Sequence, residues 1–316
     1  MTNYSPLVSI VIPVYKGATY MRIAIDSALA QTYLNTEVIV VNDGSPDDGE
    51  TEKIALSYGD KIRYFTKPNG GCASALNFGI SQMRGEWFSW LSHDDVYEPD
   101  KIKREIDTVK EKQLDTENTI LSCEAKIIDE NGKEIRHPSA GDTGFYDRDA
   151  FVKRLLFGSS LNGCGLLIPK RVLDRVGTFS PDFKYILDRD YWLRAALSGT
   201  VLYRMGDEKL VSNRVHRAQV TVREAGRRSS EIAKMCENLF EMSKETNSVR
   251  ILEDFYLYTG INGQKELQKK YQTLLESQNA FRVKTKLKAG FFQSKQALRT
   301  FAAGLYWKAV RNRKSR

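Results

Sequence analysis

The chain has 316 residues, 41% hydrophobic and 28% charged, enough for one large or two ordinary domains with a substantial core. Its formal net charge of +8 is unevenly placed, because residues 277–316 hold 11 Lys or Arg and no acid, leaving 37 basic against 40 acidic residues in the body. That balance excludes a basic nucleic-acid groove in the body, and no apolar run approaches a membrane span or reads as an export signal.

Taken in order, Leu7 to Val14 is a near-continuous apolar run, as expected of a strand covered on both faces. Met21, Ile25, Ala28 and Leu29 then recur at helical spacing and predict an amphipathic helix over 18–31. A second strand, Glu37 to Val41, ends in Asn42-Asp43-Gly44-Ser45, completing a βαβ unit whose strand ends bring Tyr15 and Asp43 to one edge. A helix over 47–58 and a short strand, Ile62 to Phe65, follow. Asn69-Gly70-Gly71 then opens a helix from Cys72 to Met83, where backbone amides and the helix dipole suit a phosphate, or where the pair simply turns the chain.

Trp87 to Leu91 reads as a buried strand that ends in Ser92-His93-Asp94-Asp95. Ligands bind outside the carboxyl ends of strands in an open sheet, and two adjacent carboxylates there repel unless a cation or hydrogen-bond donors offset them. A divalent metal carrying a phosphorylated substrate and a helix-capping turn are the two readings. A charged helix over 99–112, a strand from Thr119 to Ile128, a hairpin turn at Asn131-Gly132 and a loop over 138–147 come next. Short helices over 147–157 and 170–176 flank a strand from Gly163 to Ile168. A helix opens at Asp188 and ends near Gly199, before a strand from Val201 to Arg204. The looser alternation predicts mixed or antiparallel pairing in this half. No internal repeat is present. The four dispersed cysteines, Cys72, Cys123, Cys164 and Cys236, form no CxxC pair, which favours reduced thiols over zinc or a disulfide framework.

The succession VSIVIPVY, VIVVNDGSPDD, KPNGGCASALNFGI, WFSWLSHDDVYEPDKI, LDRDYWLRAAL and NRVHRAQVT resembles the family 2 glycosyltransferases over residues 7–222. The resemblance implies an α/β GT-A fold, with a Rossmann-like nucleotide-binding half (1–98) and an acceptor-binding half (99–222) on a mixed sheet. A helical extension would fill 223–316. It further implies an inverting transferase that moves a sugar from a nucleotide-sugar donor to a hydroxyl of a glycan or lipid-linked glycan in surface polysaccharide synthesis. UDP-sugars are the first expectation and dTDP-rhamnose the second. Pro13, Tyr15, Asp43, Lys67, Asn69, Gly71 and Asp94 would border the nucleotide-sugar, with Asp43 accepting the base imide N–H. Asp95 and His216 would hold Mg²⁺ or Mn²⁺, and Asp188 would be the general base, with Asp190 its rival. Two departures stand out: Ser92 occupies a position where the family often has Asp, and Leu187 one where Glu is common. A sugar nucleotidyltransferase and a non-catalytic nucleotide-sugar binding subunit are the competing readings.

Beyond about Arg223 helical segments over 224–245, 249–259 and 263–278 lead to the basic tail, 281–316. There Leu298, Phe301 and Leu305 share one helical face beside Lys295 and Arg299. Such a tail suits an anionic membrane surface, or the packing of another subunit in a homo-oligomer, and places the protein in the cytoplasm on the inner face of the cell membrane.

Overall fold

The computed structural model describes residues 4–136, 143–158, 161–216, 228–278 and 280. The basic tail 281–316, part of the 138–147 loop and residues 217–227 lie outside these residues. Two compact units are present, one of Met1–Leu155 with Ser159–Arg228, the other of Leu156–Gly158 with Ser229–Arg316.

In the first unit β1 (Val8–Val14), β2 (Thr36–Asn42), β3 (Arg63–Thr66) and β4 (Trp87–Trp90) are parallel, in the order β3-β2-β1-β4. All seven β1 side chains are buried, the expected consequence of a strand covered on both faces. The crossovers are α1 (Met21–Leu29), α2 (Glu50–Leu56) and α3 (Cys72–Gln82). Helix α3 lies close against β1 because Gly79 has no side chain: a Cβ there would stand 2.3 Å from Val11 Cγ1. Parallel strands end on the same side, so Tyr15, Asp43, Lys67 and the 91–95 segment emerge at one edge.

The rest of this sheet is mixed, as expected. It contains β5 (Val96–Tyr97), β6 (Thr119–Ile128), β7 (Glu134–Arg136), β8 (Gly144–Tyr146), β9 (Leu166–Pro169) and β10 (Val201–Arg214). Strand β9 runs antiparallel between β4 and β6, and β10 runs parallel to β6 and antiparallel to β5 and β8. Helices α4 (Lys101–Glu111), α5 (Arg148–Phe157), α6 (Lys170–Val176) and α7 (Leu187–Leu197) complete the pattern. The sequence places the end of the last strand at Arg204, ten residues early. The chain bulges beyond Arg204, with Gly206 at φ +81°, and resumes pairing with β6 as far as Arg214.

One charged pair lies wholly inside. The Lys101 ammonium, with no exposed surface, donates to both oxygens of Glu105 at 2.9 Å and to Ser89 Oγ at 3.2 Å, and stands 4.4 Å from the centre of the Tyr97 ring. The Tyr97 hydroxyl donates to the Trp90 carbonyl at 2.7 Å, so the pair underpins the end of β4. Burial pushes the Glu105 carboxyl up, against the opposing pull of Lys101.

The second unit is helical: α8 (Arg228–Asn238), α9 (Phe240–Glu245), α10 (Val249–Ile261) and α11 (Lys265–Ser277). Its centre is Tyr271, stacked on Phe255 with centroids 5.5 Å apart, edge-on to Phe240, and hydrogen-bonded to Ser243 Oγ at 2.8 Å. No helix among the described residues is long and apolar enough to cross a membrane.

Removing one member of a buried ion pair strands the other charge. Glu105→Ala should therefore cost about 3–5 kcal/mol of stability, and the Lys101→Met, Glu105→Leu double variant should recover most of it, both measured by urea unfolding.

Candidate active site

Asp43 follows β2 and is buried. Its carboxylate accepts from Lys67 Nζ at 2.7 Å, from the Gly70 amide at 3.1 Å to each oxygen, and from the Gly71 amide at 2.7 Å; Asn69 Nδ2 donates to its carbonyl at 2.9 Å. Lys67, Asn69 and Gly71, expected to face the nucleotide-sugar separately, thus converge on Asp43. In the structure the Asp43 carboxylate is engaged by these donors, and the Gly70 and Gly71 amides hold this internal anion. Asp43 shapes the 67–71 turn, and a base imide would have to share an oxygen in use. Tyr15 stays open to solvent at 43% exposure, with Lys16 Nζ 5.6 Å from its ring centre.

The 92–95 turn is held from two directions. Asp95 is 5% exposed; Oδ1 accepts from the Arg214 amide at 2.9 Å, and Oδ2 from Asn213 Nδ2 at 2.8 Å and Cys164 Sγ at 3.3 Å. Burial, then the neighbouring Asp94 charge, push its carboxyl up to about 7. In this placement the Asp95 oxygens meet protein donors, and the residue ties β4 to the end of β10. Asp94 Oδ2 instead lies 3.0 Å from His216 Nε2, each side chain 13% exposed. Asp94 and His216, 122 positions apart, thus bring a carboxylate and an imidazole together.

Arg214, which sequence reasoning missed, makes that meeting happen. Its guanidinium donates to the carbonyls of Asp94, Asp129 and Glu130 at 3.0–3.1 Å and lies 4.7 Å from the centre of the Tyr20 ring, which in turn packs on His216 at 5.1 Å. Asn213 reaches both Asp95 and Asn162. Ser92 bonds to Cys164 through both its amide and its hydroxyl at 3.3 Å. His93 points elsewhere, as read: its ring donates to the carbonyl of Pro13, and burial holds the imidazole below its usual value.

At the start of α7 the two candidate bases separate. Asp190 is 2% exposed and paired with Arg194 Nε at 2.9 Å, and Arg194 also donates to the carbonyls of Val176 and Thr178. Burial pushes the Asp190 carboxyl up, against the opposing pull of Arg194. Asp188, in the first turn of α7, is half-buried and accepts from the Arg189 amide at 2.7 Å. Trp192 is in the core, edge-on to Phe179. Cys72 stands at the start of α3; the protein around its thiol, followed by the charges of Asp188, Asp43 and Asp94, pushes it up to about 12.

Among the described residues no group of three or more His, Cys, Asp or Glu forms a metal cluster. A carboxylate and an imidazole in contact nevertheless fit Mg²⁺ or Mn²⁺ that takes its remaining ligands from water and phosphate.

The family model "Glycosyl transferase family 2" matches residues 9–162. An uncharacterized glycosyltransferase of Rickettsia typhi, RT0329, is 49% identical over 221 residues, 69% of this chain and 67% of that protein. A Rickettsia felis relative of the same description is 47% identical over 217 residues, 68% of this chain and 35% of that protein's length. Hyaluronan synthase of Pasteurella multocida is 45% identical over 103 residues, 32% of this chain and 10% of that protein. Among solved structures, S. aureus TarS 1–349 in complex with UDP-GlcNAc superposes with a TM-score of 0.65 at 14% identity, covering 92% of this chain and 89% of that one, which shows the same fold.

Asp190→Ala should cost about 3 kcal/mol by stranding Arg194, and Asp188→Ala, at a half-buried position in the first turn of α7, should cost less. Chemical denaturation of the two variants checks the difference.

Proposed function

The chain belongs to glycosyl transferase family 2, and we propose that it moves a sugar from a nucleotide-sugar donor, a UDP-sugar first and dTDP-rhamnose second, to a hydroxyl of a glycan or lipid-linked glycan, with inversion. The observation that carries this reading is the contact of Asp94 with His216 at the strand edge where Asp43 also emerges, with Asp188 in the first turn of α7 as the half-buried carboxylate left for the acceptor. The local likeness to hyaluronan synthase supports a role in polysaccharide synthesis.

In this reading Tyr15 packs on the base, and Asp43 holds the 67–71 turn that walls it. Asp94 and His216 are the residues that would hold Mg²⁺ or Mn²⁺, which when bound supplies positive charge to the diphosphate leaving group. Asp95 and Arg214 fix the direction in which Asp94 presents its carboxylate. Asp188 takes the proton of the acceptor hydroxyl as that oxygen bonds to the anomeric carbon and the bond to the diphosphate oxygen breaks on the opposite face. A carboxylate half open to solvent can receive that proton and release it; the ion-paired Asp190 cannot do so without stranding Arg194.

Thermal shift with UDP-, dTDP- and GDP-sugars, with and without Mn²⁺, tests the donor. A matching nucleotide at a hundredfold excess over Kd should stabilise by about 2.7 kcal/mol, and a complete lack of metal-dependent shift would count against the reading. Asp188→Asn should lower transfer by roughly 10²–10⁴-fold while nucleotide binding persists; retained transfer removes Asp188 from the mechanism, and this comparison also separates an enzyme from a mere nucleotide-sugar binder.

The basic segment 281–316 completes the proposal as an attachment to anionic membrane on the cytoplasmic face, each basic side chain contributing on the order of 1 kcal/mol near such a surface. The full chain should pellet with anionic vesicles at low salt and a chain ending at Ser277 should not; equal pelleting of the two would locate the attachment elsewhere.

A further inference from the structure

Helix α3 carries a side chain that the proposed reaction has not yet used. Asn77, on its second turn, makes a pair of hydrogen bonds with the main chain of Phe179, 102 residues away: Nδ2 donates to the Phe179 carbonyl and the Phe179 amide donates to Oδ1, both at 2.8 Å. A carboxamide that satisfies the N–H and C=O of one residue reproduces a rung of a β-ladder, and it fixes both the height and the rotation of the segment it grips.

Phe179 is not a passive partner. Its fully buried ring stacks on Tyr191 with centroids 4.1 Å apart and planes 21° from parallel, and meets Trp90 and Trp192 edge-on at about 6 Å. Tyr191 stands on α7, three residues beyond Asp188, so the two are separated by about 4.5 Å along the helix axis. From the same helix Arg194 reaches back to the carbonyls of Val176 and Thr178 at 3.0 and 2.9 Å. The 176–179 segment is thus gripped by α3 through Asn77 and by α7 through Arg194.

The other end of α3 is equally fixed. The Gly70 and Gly71 amides, immediately before the helix, are bound to the Asp43 carboxylate, roughly 9 Å along the axis from Asn77. A continuous series of hydrogen bonds and ring contacts therefore runs from the donor side of the site at Asp43, along α3, across Asn77 and Phe179, to the first turns of α7. In-line displacement depends on the position of the attacking oxygen relative to the leaving group, and a misplacement of about 1 Å can cost 10²-fold in rate.

We propose that Asn77 is a positioning residue for the transfer reaction: it couples the donor-side helix to the acceptor-side helix and sets where Asp188 stands relative to the diphosphate. The inference rests on the reading of Asp188 as the base. Because the hydrogen bonds of Asn77 go to Phe179 and not to Asp43, Asp94 or His216, its removal should change turnover and leave binding alone, a separation that general destabilisation does not produce.

The test uses the full chain with Asn77→Ala and the isosteric Asn77→Asp, which keeps the acceptor for the Phe179 amide and loses the donor. Hydrogen–deuterium exchange should rise at least tenfold over residues 177–190 in Asn77→Ala, with β1 and β4 unchanged, and less in Asn77→Asp. With whichever of the UDP-, dTDP- and GDP-sugars the wild type turns over in Mn²⁺, kcat should fall at least tenfold in Asn77→Ala and less in Asn77→Asp. The Kd of the corresponding nucleoside diphosphate should stay within twofold. Unchanged exchange over 177–190, a rise spread over β1 and β4, unchanged kcat, or parallel loss of nucleotide binding each overturns the coupling. Where the wild type turns over none of these sugars, the exchange measurement decides alone; where Asn77→Ala fails to fold, Asn77→Asp does. Full turnover in Asp188→Asn removes the base assignment and is read independently of the exchange result. An inactive Asp188→Asn beside a fully active Asn77→Ala removes the coupling only.

Discussion

The buried carboxylate of Asp95 is the contact on which the donor side depends. A charge taken from water must be offset by donors held in place, and the donors come from two separated parts of the chain: the Arg214 amide and Asn213 side chain at the end of β10, and the Cys164 thiol. Meeting that requirement draws the far end of β10 and the 162–164 turn onto the end of β4. The result presents Asp94 beside His216, while Arg214 locks the turn by reading three carbonyls. The acidic turn therefore organises its surroundings from within, and only one of its two carboxylates faces outward.

Much of this architecture is legible in the sequence because parallel strands buried on both faces carry unmistakable apolar runs, and their ends carry the polar residues of the site. The βαβ order, the strand at Thr119–Ile128 and the opening of α7 all follow from such local signals. What is not legible is whatever depends on partners distant in the chain. Strand β10 runs on through a bulge because β6 offers it a ladder, and nothing in Met205-Gly206-Asp207-Glu208 announces that. The division of labour between Asp94 and Asp95 depends likewise on donors more than 60 residues away. Asp43 and the Gly70-Gly71 pair each look like a ligand contact when read alone; that they bind one another emerges only when β2 and α3 lie side by side. Asp188 and Asp190 differ in sequence by nothing that marks one as buried, although Arg194, four residues beyond Asp190, is the signal available for an ion pair.

Ser92 also has a physical context. The position where the resemblance leads one to expect an acid carries a hydroxyl bonded to Cys164, whose thiol in turn bonds to Asp95. A third carboxylate here would add its charge beside Asp94 and Asp95; serine and cysteine supply neutral donors instead, and burial together with Asp95 holds the thiol well above its usual value, in the uncharged form suited to donating.

The Lys101–Glu105 pair beneath β4 has a consequence for how this protein can vary over generations. Each member is indispensable only while the other is present, so a single replacement is penalised although a joint replacement by apolar residues need not be. Drift at these two positions must proceed in correlated steps, and the Tyr97 hydroxyl that steadies the Trp90 carbonyl inherits the same restriction. The floor of the strand end that carries the acidic turn is therefore conservative through coupling rather than through chemistry, leaving the surface above it freer to change which sugar it accommodates.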